Sequence, residues 1–222
     1  MGKVALVTGA NRGLGLEVSR RLAARGVLVF AGVRKPSEMP VLPGVEVLAL
    51  DVTDDASAAA AATQVRASQG SLDILVNNAG ILLDESMDIF EVDCGTLRRT
   101  LETNTVGPFR VVQAFRPLMG RGSRIINISS GGGQLSSPGT WAPAYCISKT
   151  ALNGVTVQLA KALEDHGIAV NAACPGWVRT DMGGPGAPLS VEDGAAGILW
   201  LALDAPQELT GGFIQDRQRI PW

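Results

Sequence analysis

Histidine, tyrosine and cysteine are scarce in this chain of 222 residues, which holds one, one and three of them. A Ser-His-Asp hydrolytic site needs an imidazole beside its nucleophile. The single histidine, His166, stands well past the helix that would carry Tyr145 and Lys149, so Ser130 is not read as a hydrolytic serine. Cys94, Cys146 and Cys174 show no C-x-x-C spacing and do not cluster with His166. Neither a disulfide framework nor a metal site therefore has its ligands, and a reducing, cytoplasmic setting is expected. There is no basic excess either: 19 Lys and Arg against 21 Asp and Glu give a formal net charge of -2, with no field for gripping a phosphate backbone. Nucleic acid is thus excluded as the main partner. No apolar run approaches the roughly 20 residues that cross a bilayer, so no membrane partner is expected. The short run Val4 to Val7 leads into a glycine turn rather than a cleavage site. Met1-Gly2 resembles the start of a lipidation motif, but Leu6 stands where that motif wants Ser or Thr, and it is discounted.

What the chain does have is alternation. Apolar runs at Val4-Thr8, Val27-Val33, Val45-Leu50, Leu72-Asn77, Arg124-Ser129, Ala169-Cys174 and, weakly, Gly212-Gln215 are separated by helical stretches. This predicts a Rossmann-like α/β fold: a doubly wound, seven-stranded, mostly parallel sheet covered by helices on both faces. Leu14, Val18 and Leu22 recur every four residues, as do Val155, Leu159 and Leu163 after Leu152, so these stripes should pack on the sheet. Ala56 to Ala67 reads as a helix that Thr53 could cap. Pro36, Pro40 and Pro43 leave little helix between Arg34 and Gly44. The length fits one domain, residues 1-222, with a cofactor half of about 1-100 and a catalytic half of about 101-222. The Gly/Pro-rich stretch Gly183 to Pro188 marks a substrate lid of about 181-190. The sequon at Asn127 falls inside a buried strand and is not read as a glycan site.

The first strand ends in Thr8-Gly9-Ala10-Asn11-Arg12-Gly13-Leu14-Gly15, directly before a helix. This strand, glycine turn and helix can seat a pyrophosphate on helix N-terminal amides. Gly9, Asn11, Arg12, Gly13, Leu14 and Gly15 are therefore candidate cofactor contacts, against the plainer reading of a tight turn without ligand. The second strand ends at Val33-Arg34 with no acidic residue for a ribose 2'-hydroxyl, which would favour NAD. Arg34 and Arg12 instead offer guanidinium groups to a 2'-phosphate, favouring NADP(H) over NAD(H), unless both are merely solvated surface arginines. Asp51-Val52 and Asn77-Asn78-Ala79-Gly80 follow strands at the carboxyl edge, where open α/β sheets bind ligands. Asp51 could hold an adenine amino group there, although such corners also form for local reasons.

Strand five delivers Ser129 and Ser130 at its carboxyl end, and Tyr145 and Lys149 follow four apart on one helix face. Hydride transfer at a carbinol carbon needs a proton moved on its oxygen, and a phenol near its ordinary pKa of about 10 needs tuning for that work. Lys149 supplies a positive charge expected to lower the phenol. Ser130 can orient a substrate oxygen toward Tyr145, and Asn104 can hold a water that relays protons to Lys149. Y-x-x-x-K alone is a common surface pattern, but here it holds the only tyrosine of the chain.

Taken together, TGANRGLG, DVT, NNAG, Asn104, the ISS at strand five, Y-x-x-x-K and Pro175-Gly176-Trp177-Val178-Arg179-Thr180 resemble the short-chain dehydrogenase/reductase family from end to end. The resemblance implies a Rossmann-like fold with Asn104, Ser130, Tyr145 and Lys149 as catalytic residues. It also implies Asn77, Pro175, Gly176, Val178 and Thr180 near the nicotinamide, and Lys149 on its ribose. The segment from Cys174 to Pro188 and the closing Ile-Pro-Trp are similar to NADPH-dependent carbonyl reductases of that family. The interval from Ser130 to Tyr145 is slightly long for the family. It is still too short for the extra helix of monomeric carbonyl reductases, so a homodimer or homotetramer is expected.

Trp141, Trp177, Leu135 and Met182 flank the catalytic residues in sequence. They suggest an apolar carbonyl or alcohol substrate, with core or lid packing as the plainer reading. The expected activity is NADPH-dependent reduction of an aldehyde or ketone. Two alternatives remain: a 3-oxoacyl-thioester reductase, disfavoured because Thr180 to Trp200 carries only Asp181, Glu192 and Asp193 as charges, and a non-catalytic NADP(H)-binding sensor or scaffold.

Overall fold

The computed structural model describes residues 2-222. Met1, half of the discounted lipidation-like start, lies outside the described residues. Seven strands run parallel: β1 Val4–Thr8, β2 Leu28–Val33, β3 Val45–Ala49, β4 Ile74–Asn77, β5 Arg124–Ile128, β6 Ala169–Ala173 and β7 Phe213–Gln215. The sheet order is β3-β2-β1-β4-β5-β6-β7. Strand β1 pairs with both β2 and β4, so the winding reverses there and a crevice opens beyond the carboxyl ends of β1 and β4.

An eighth strand, β8 Gln218–Arg219, corrects the expected count of seven and pairs antiparallel with β7. The hairpin turns on Asp216 and Arg217, both at positive φ. Two exposed polar residues carry no apolar alternation, so nothing in the pattern announced it.

Helices α1 Gly13–Ala24, α2 Asp55–Gln69, α3 Cys94–Leu101, α4 Gly107–Phe115, α5 Pro143–Leu163 and α6 Val191–Leu203 cover the sheet. Period-two alternation in the strands feeds two cores. Leu6, Phe30, Leu48, Leu75, Ile125 and Val170 meet α2, α4 and α5 on one face. Ala5, Val7, Val29, Ala31, Val76 and Ile126 meet Val18 and Leu22 of α1 and Ile198 and Ala202 of α6 on the other. Between β2 and β3 only the single 3-10 turn Pro36–Glu38 forms, as three prolines require.

Two local expectations are corrected. Asp54, not Thr53, caps α2, accepting from the amides of Ala56 and Ser57, while Thr53 spends its hydroxyl on Asp51 at 2.7 Å. On α5 the expected inward stripe of Val155 and Leu159 is only half-buried, and the buried face instead carries Asn153 and Thr156. These polar side chains bolt the helix to β5: Asn127 Nδ2 donates to Thr156 Oγ1 at 2.9 Å and Ser129 Oγ to Asn153 Oδ1 at 2.7 Å. Buried polar groups need partners, and this pairing fixes the rotation of α5 and hence where Tyr145 points. Among the described residues, no helix is long and apolar enough to cross a membrane.

Candidate active site

The β1-α1 turn is shaped by close approach. Gly9 has φ of 64°, and a Cβ there would lie 2.9 Å from Cα of Ala79; at Gly15 it would lie 2.4 Å from both the Gly9 oxygen and Asn78 Nδ2. Asn78 is the other half of this contact, donating its side-chain amide to the Thr8 and Gly9 carbonyls at 2.9 and 3.0 Å. Thr8 Oγ1 accepts from the Asn78 and Ala79 amides, each at 3.0 Å. Arg12, the N-cap of α1, makes no side-chain cap bond, so first-turn amides remain donors toward the crevice.

A cavity of about 770 Å³ runs from this turn to Tyr145, within the range of small-molecule sites. Its end at the glycine turn is walled by Gly9, residues 11-15, Arg34, Asp51, Val52, Ala79 and Gly80, and its far side by Ser130, Trp141, Tyr145, Lys149, residues 175-178, Thr180 and Met182. Three expected contacts lie elsewhere. Asn77 ends β4 with its side chain turned into the sheet, where Nδ2 donates to Asn127 Oδ1 at 2.9 Å, and Asn78 takes the wall in its place. Leu135, 72% exposed, sits on the loop away from the wall. Asn104 is fully buried behind the wall.

Asn104 lies in a π-helical turn, Glu102–Val106, between α3 and α4, not in a regular helix; such bulges recur at functional sites. Both protons of its amide are committed, and its oxygen takes one donor. Oδ1 accepts from Ile81 N–H at 2.8 Å, and Nδ2 donates to the Ile81 carbonyl at 2.9 Å and to Ser148 Oγ at 3.0 Å. The side chain therefore clamps the segment after β4 to α5.

Tyr145 lies in the first turn of α5, its ring tilted against Trp141 with centroids 5.5 Å apart. Lys149, one turn on, places Nζ 5.5 Å from the Tyr145 ring centroid and donates to the Ile128 carbonyl at 2.8 Å. Ser130 Oγ caps the turn Gly131–Gly133, accepting from Gly132 N–H at 3.1 Å. Burial pushes Tyr145 up to about 12, opposed by its hydrogen bond with Ser130 and reinforced by the Cys174 and Cys146 thiols. Burial likewise brings Lys149 down to about 8. Desolvation is the leading cause for both groups, and the ammonium is turned toward the Ile128 carbonyl. The phenol is then held protonated at neutral pH, the form a proton donor needs.

At the other end, burial opposes ionisation of Asp51, but hydrogen bonds from Thr53, with Arg34 and Arg110 nearby, hold its carboxyl below its ordinary value. Arg34 has no ion pair among the described residues, whereas Arg12 pairs with Asp181 at 2.9 Å, both side chains 73% exposed. Residues 181-190 fold back on the strand-six loop: Trp177 Nε1 donates to the Gly183 carbonyl at 2.8 Å, and Arg179 to those of Ala187 and Pro188 at 2.9 and 2.8 Å. Glu85, Cys174 and Gln215 also line the cavity. Glu85 lies on a loop and Gln215 at the end of β7, neither within a motif, while Cys174 directly precedes the Pro175-Gly176 motif.

The sequence profile of the short chain dehydrogenase family matches residues 3-187. The chain is 34% identical to (+)-neomenthol dehydrogenase of Arabidopsis thaliana over 98% of its own length and 97% of that protein. It is 38% identical to a 3-oxoacyl-acyl-carrier-protein reductase of Escherichia coli over 82% of the chain and 75% of the relative. Among solved structures, it superimposes on an NADPH-bound carbonyl reductase from chicken fatty liver with a TM-score of 0.89 and 31% identity, covering 100% of this chain and 99% of the other. Fold, residues and likeness agree: the chain belongs to the short-chain dehydrogenase family and is an oxidoreductase of that family.

Proposed function

We propose that the protein reduces an aldehyde or ketone to the alcohol with NADPH, and that Tyr145 is the proton donor. The observation that carries this reading is the buried phenol of Tyr145 beside Ser130 and Lys149, at the end of a cavity whose other end is the glycine turn with Arg12 and Arg34. The turn fits a dinucleotide: a Cβ at Gly9 or Gly15 would collide with Ala79 or Asn78, so these glycines let the turn close against β4 and leave the α1 first-turn amides facing the cavity, where a pyrophosphate would rest. Gly9, Asn11 to Gly15, Ala79 and Gly80 would hold the pyrophosphate side, Asp51 and Val52 the adenine, and Arg34 with Arg12 a 2'-phosphate. Pro175, Gly176, Val178 and Thr180 would hold the nicotinamide end, with Lys149 on its ribose. When bound, NADPH supplies the hydride.

The rest is work for the chain. Ser130 directs the substrate oxygen at the phenol. Tyr145 gives its proton to that oxygen as the carbonyl carbon takes up hydride, and the C=O bond becomes C–OH. The phenolate left behind is stabilised by the Lys149 ammonium and regains its proton from solvent. Asn104 holds the Ile81 segment against α5 so that these groups keep their places. Trp141, Trp177 and Met182 present an apolar wall suited to a neutral carbonyl compound, and residues 181-190 act as a lid. The chain works as one domain in a reducing, cytoplasmic setting, which three free cysteines support. Val106, Phe109, Ile147 and Val157, on the π turn, α4 and α5, are partly exposed apolar groups through which two subunits pair.

The 38% identity to a 3-oxoacyl-acyl-carrier-protein reductase favours a second reading, a thioester substrate. Against it, apart from Lys149 beside Tyr145 and Asp181 paired with Arg12, the charged residue at the substrate end of the cavity is the acidic Glu85, which suits a phosphopantetheine arm poorly. The test is NADPH oxidation, followed at the nicotinamide absorbance, with aldehydes, ketones, quinones and an acetoacetyl thioester, NADH in parallel. Turnover of neutral carbonyls with NADPH ahead of NADH is expected. Preference for the thioester would move the assignment to the second reading, and tight NADPH binding without turnover would make the protein a sensor.

A further inference from the structure

Helix α5, which carries both Tyr145 and Lys149, starts without a cap of its own. Its N-cap residue is Ala142, which has no side-chain acceptor, and Pro143 at the next position has no N–H. The first amide proton of the helix, on Ala144, goes instead to Oδ2 of Asp84 at 2.5 Å, from 60 residues earlier in the chain. Asp84 is fully buried. Beside this bond, Ser86 N–H donates to the Trp141 carbonyl at 2.8 Å, and Leu82 packs on Ala142, Tyr145 and Cys146. The stretch from Leu82 to Ser86 thus grips the first turn of α5 at three points, with Tyr145 among them.

The second oxygen of the carboxylate, Oδ1, is buried and has no hydrogen-bond partner among the described residues. A buried acceptor without a partner is costly and calls for a reason. An acidic group at a helix N-terminus supplies one, because it satisfies an orphan amide and meets the positive end of the helix dipole. Asp84 does not line the cavity, so it touches neither substrate nor cofactor. The rest of α5 is held by other means: Lys149 by the Ile128 carbonyl, Ser148 by Thr105 and Asn104, and Asn153 and Thr156 by β5. Only the first turn, with Tyr145, depends on Asp84.

We infer that Asp84 is a positioning residue that clamps the start of α5 and so fixes the Tyr145 phenol toward Ser130 and the Trp141 indole on the cavity wall. This rests on the reading of Tyr145 as proton donor. Loosening the clamp displaces the phenol while leaving the glycine turn and Lys149 in place, so chemistry and cofactor binding separate.

The experiment compares Asp84→Ala and Asp84→Asn with wild type. The readouts are kcat per NADPH site titrated by fluorescence, the Kd for NADPH, KM for a neutral aromatic aldehyde, and hydrogen exchange of peptides covering residues 142-147. Asp84→Ala is expected to lose about 10- to 100-fold in kcat per site, the scale of a roughly 1 Å misplacement. NADPH Kd should stay unchanged, and exchange should quicken only over 142-147. Asp84→Asn, which keeps a carbonyl oxygen for Ala144 N–H, should recover most of the kcat and the protection. Should the alanine variant not fold, Asp84→Glu, one methylene too long, is expected to show the same split. Unchanged kcat per site and unchanged exchange would overturn the inference, as would parallel loss of cofactor binding and of protection in β1, which marks general destabilisation. A wild type that binds NADPH but reduces no carbonyl would overturn the proposed reaction, while the clamp would still stand or fall on the exchange result.

Discussion

Lys149 and Tyr145 face each other with the ammonium 5.5 Å from the centre of the phenol ring, and the ammonium proton is given to the Ile128 carbonyl rather than to the phenol. Both groups are buried, and burial drives them in opposite directions, Lys149 down to about 8 and Tyr145 up to about 12. At neutral pH this leaves a protonated acid beside a protonated cation, the pairing that carbonyl reduction asks for.

That arrangement has a signature in stability. Unfolded, Lys149 returns to 10.5, so between about pH 8 and that value the unfolded chain carries a proton the folded chain has released. Stability from this group therefore rises with pH across the window. Tyr145 acts the other way, its contribution being present below pH 10 and lost as pH climbs toward about 12. Lys149→Met is expected to raise Tm most below pH 8 and to lose that advantage by pH 10, checked by thermal melts against pH. A gain independent of pH would mean that the lysine is not held down by burial.

Arg12 is engaged with Asp181 while Arg34 has no ion pair among the described residues, so the two arginines should not weigh equally on a 2'-phosphate. Arg34→Ala is expected to weaken NADPH by about 10- to 100-fold, the scale of a lost charge-assisted hydrogen bond, and to leave NADH unchanged. Asp181→Ala, which frees Arg12, should leave NADPH binding as tight or tighter. Fluorescence titrations with both cofactors decide it; equal losses for NADPH and NADH in Arg34→Ala would contradict the assignment.

Gly15 has the tightest surroundings in the cradle, with no room for a Cβ between the Gly9 oxygen and Asn78. Gly15→Ala is expected to push the β1-α1 turn away from Asn78. NADPH binding should weaken by ~100-fold or more on the scale of an unpaired buried polar group and a distorted anion site. Calorimetric binding near the wild-type value would show that the turn relaxes at no cost.

Much of this was legible in the sequence because periodicity and turn chemistry are local. The central parallel strands stand out as short apolar runs buried on both faces, and the glycine turn and Y-x-x-x-K locate themselves by their neighbours. The misses have long-range causes. Asn77 and Asn78 are adjacent, and only the pleat at the end of β4 decides that Asn78 meets the cavity. Thr53 lost the cap to Asp54 through a one-residue shift in where α2 begins. Asn104 gave no local sign that Ile81, 23 residues away, would bond both ends of its amide. The depth of Tyr145's burial and the turn of Lys149 toward Ile128 are tertiary facts with no local signature. Asp84 gave no signal at all, since its partner lies 60 residues on.

Trp141 and Leu135 separate wall from loop. The indole of Trp141 walls the cavity and packs on Tyr145, whereas Leu135 lies on the loop away from it. Trp141→Ala should raise KM for an aromatic aldehyde by roughly 10-fold, the scale of a lost aromatic contact and its buried area. Leu135→Ala should change it by less than about 2-fold, as expected of an exposed residue. Steady-state kinetics of the two variants side by side would expose a wrong wall if Leu135→Ala proved the more damaging.

The most direct measurement is single-turnover NADPH oxidation by Tyr145→Phe with a carbonyl substrate that wild type reduces, alongside NADPH binding. Removing the phenolic hydroxyl alone should cut the rate by about 100- to 10,000-fold, the range for a general acid, with NADPH bound as in wild type. A phenylalanine variant that still reduces the carbonyl at a rate close to wild type would contradict Tyr145 as the proton donor.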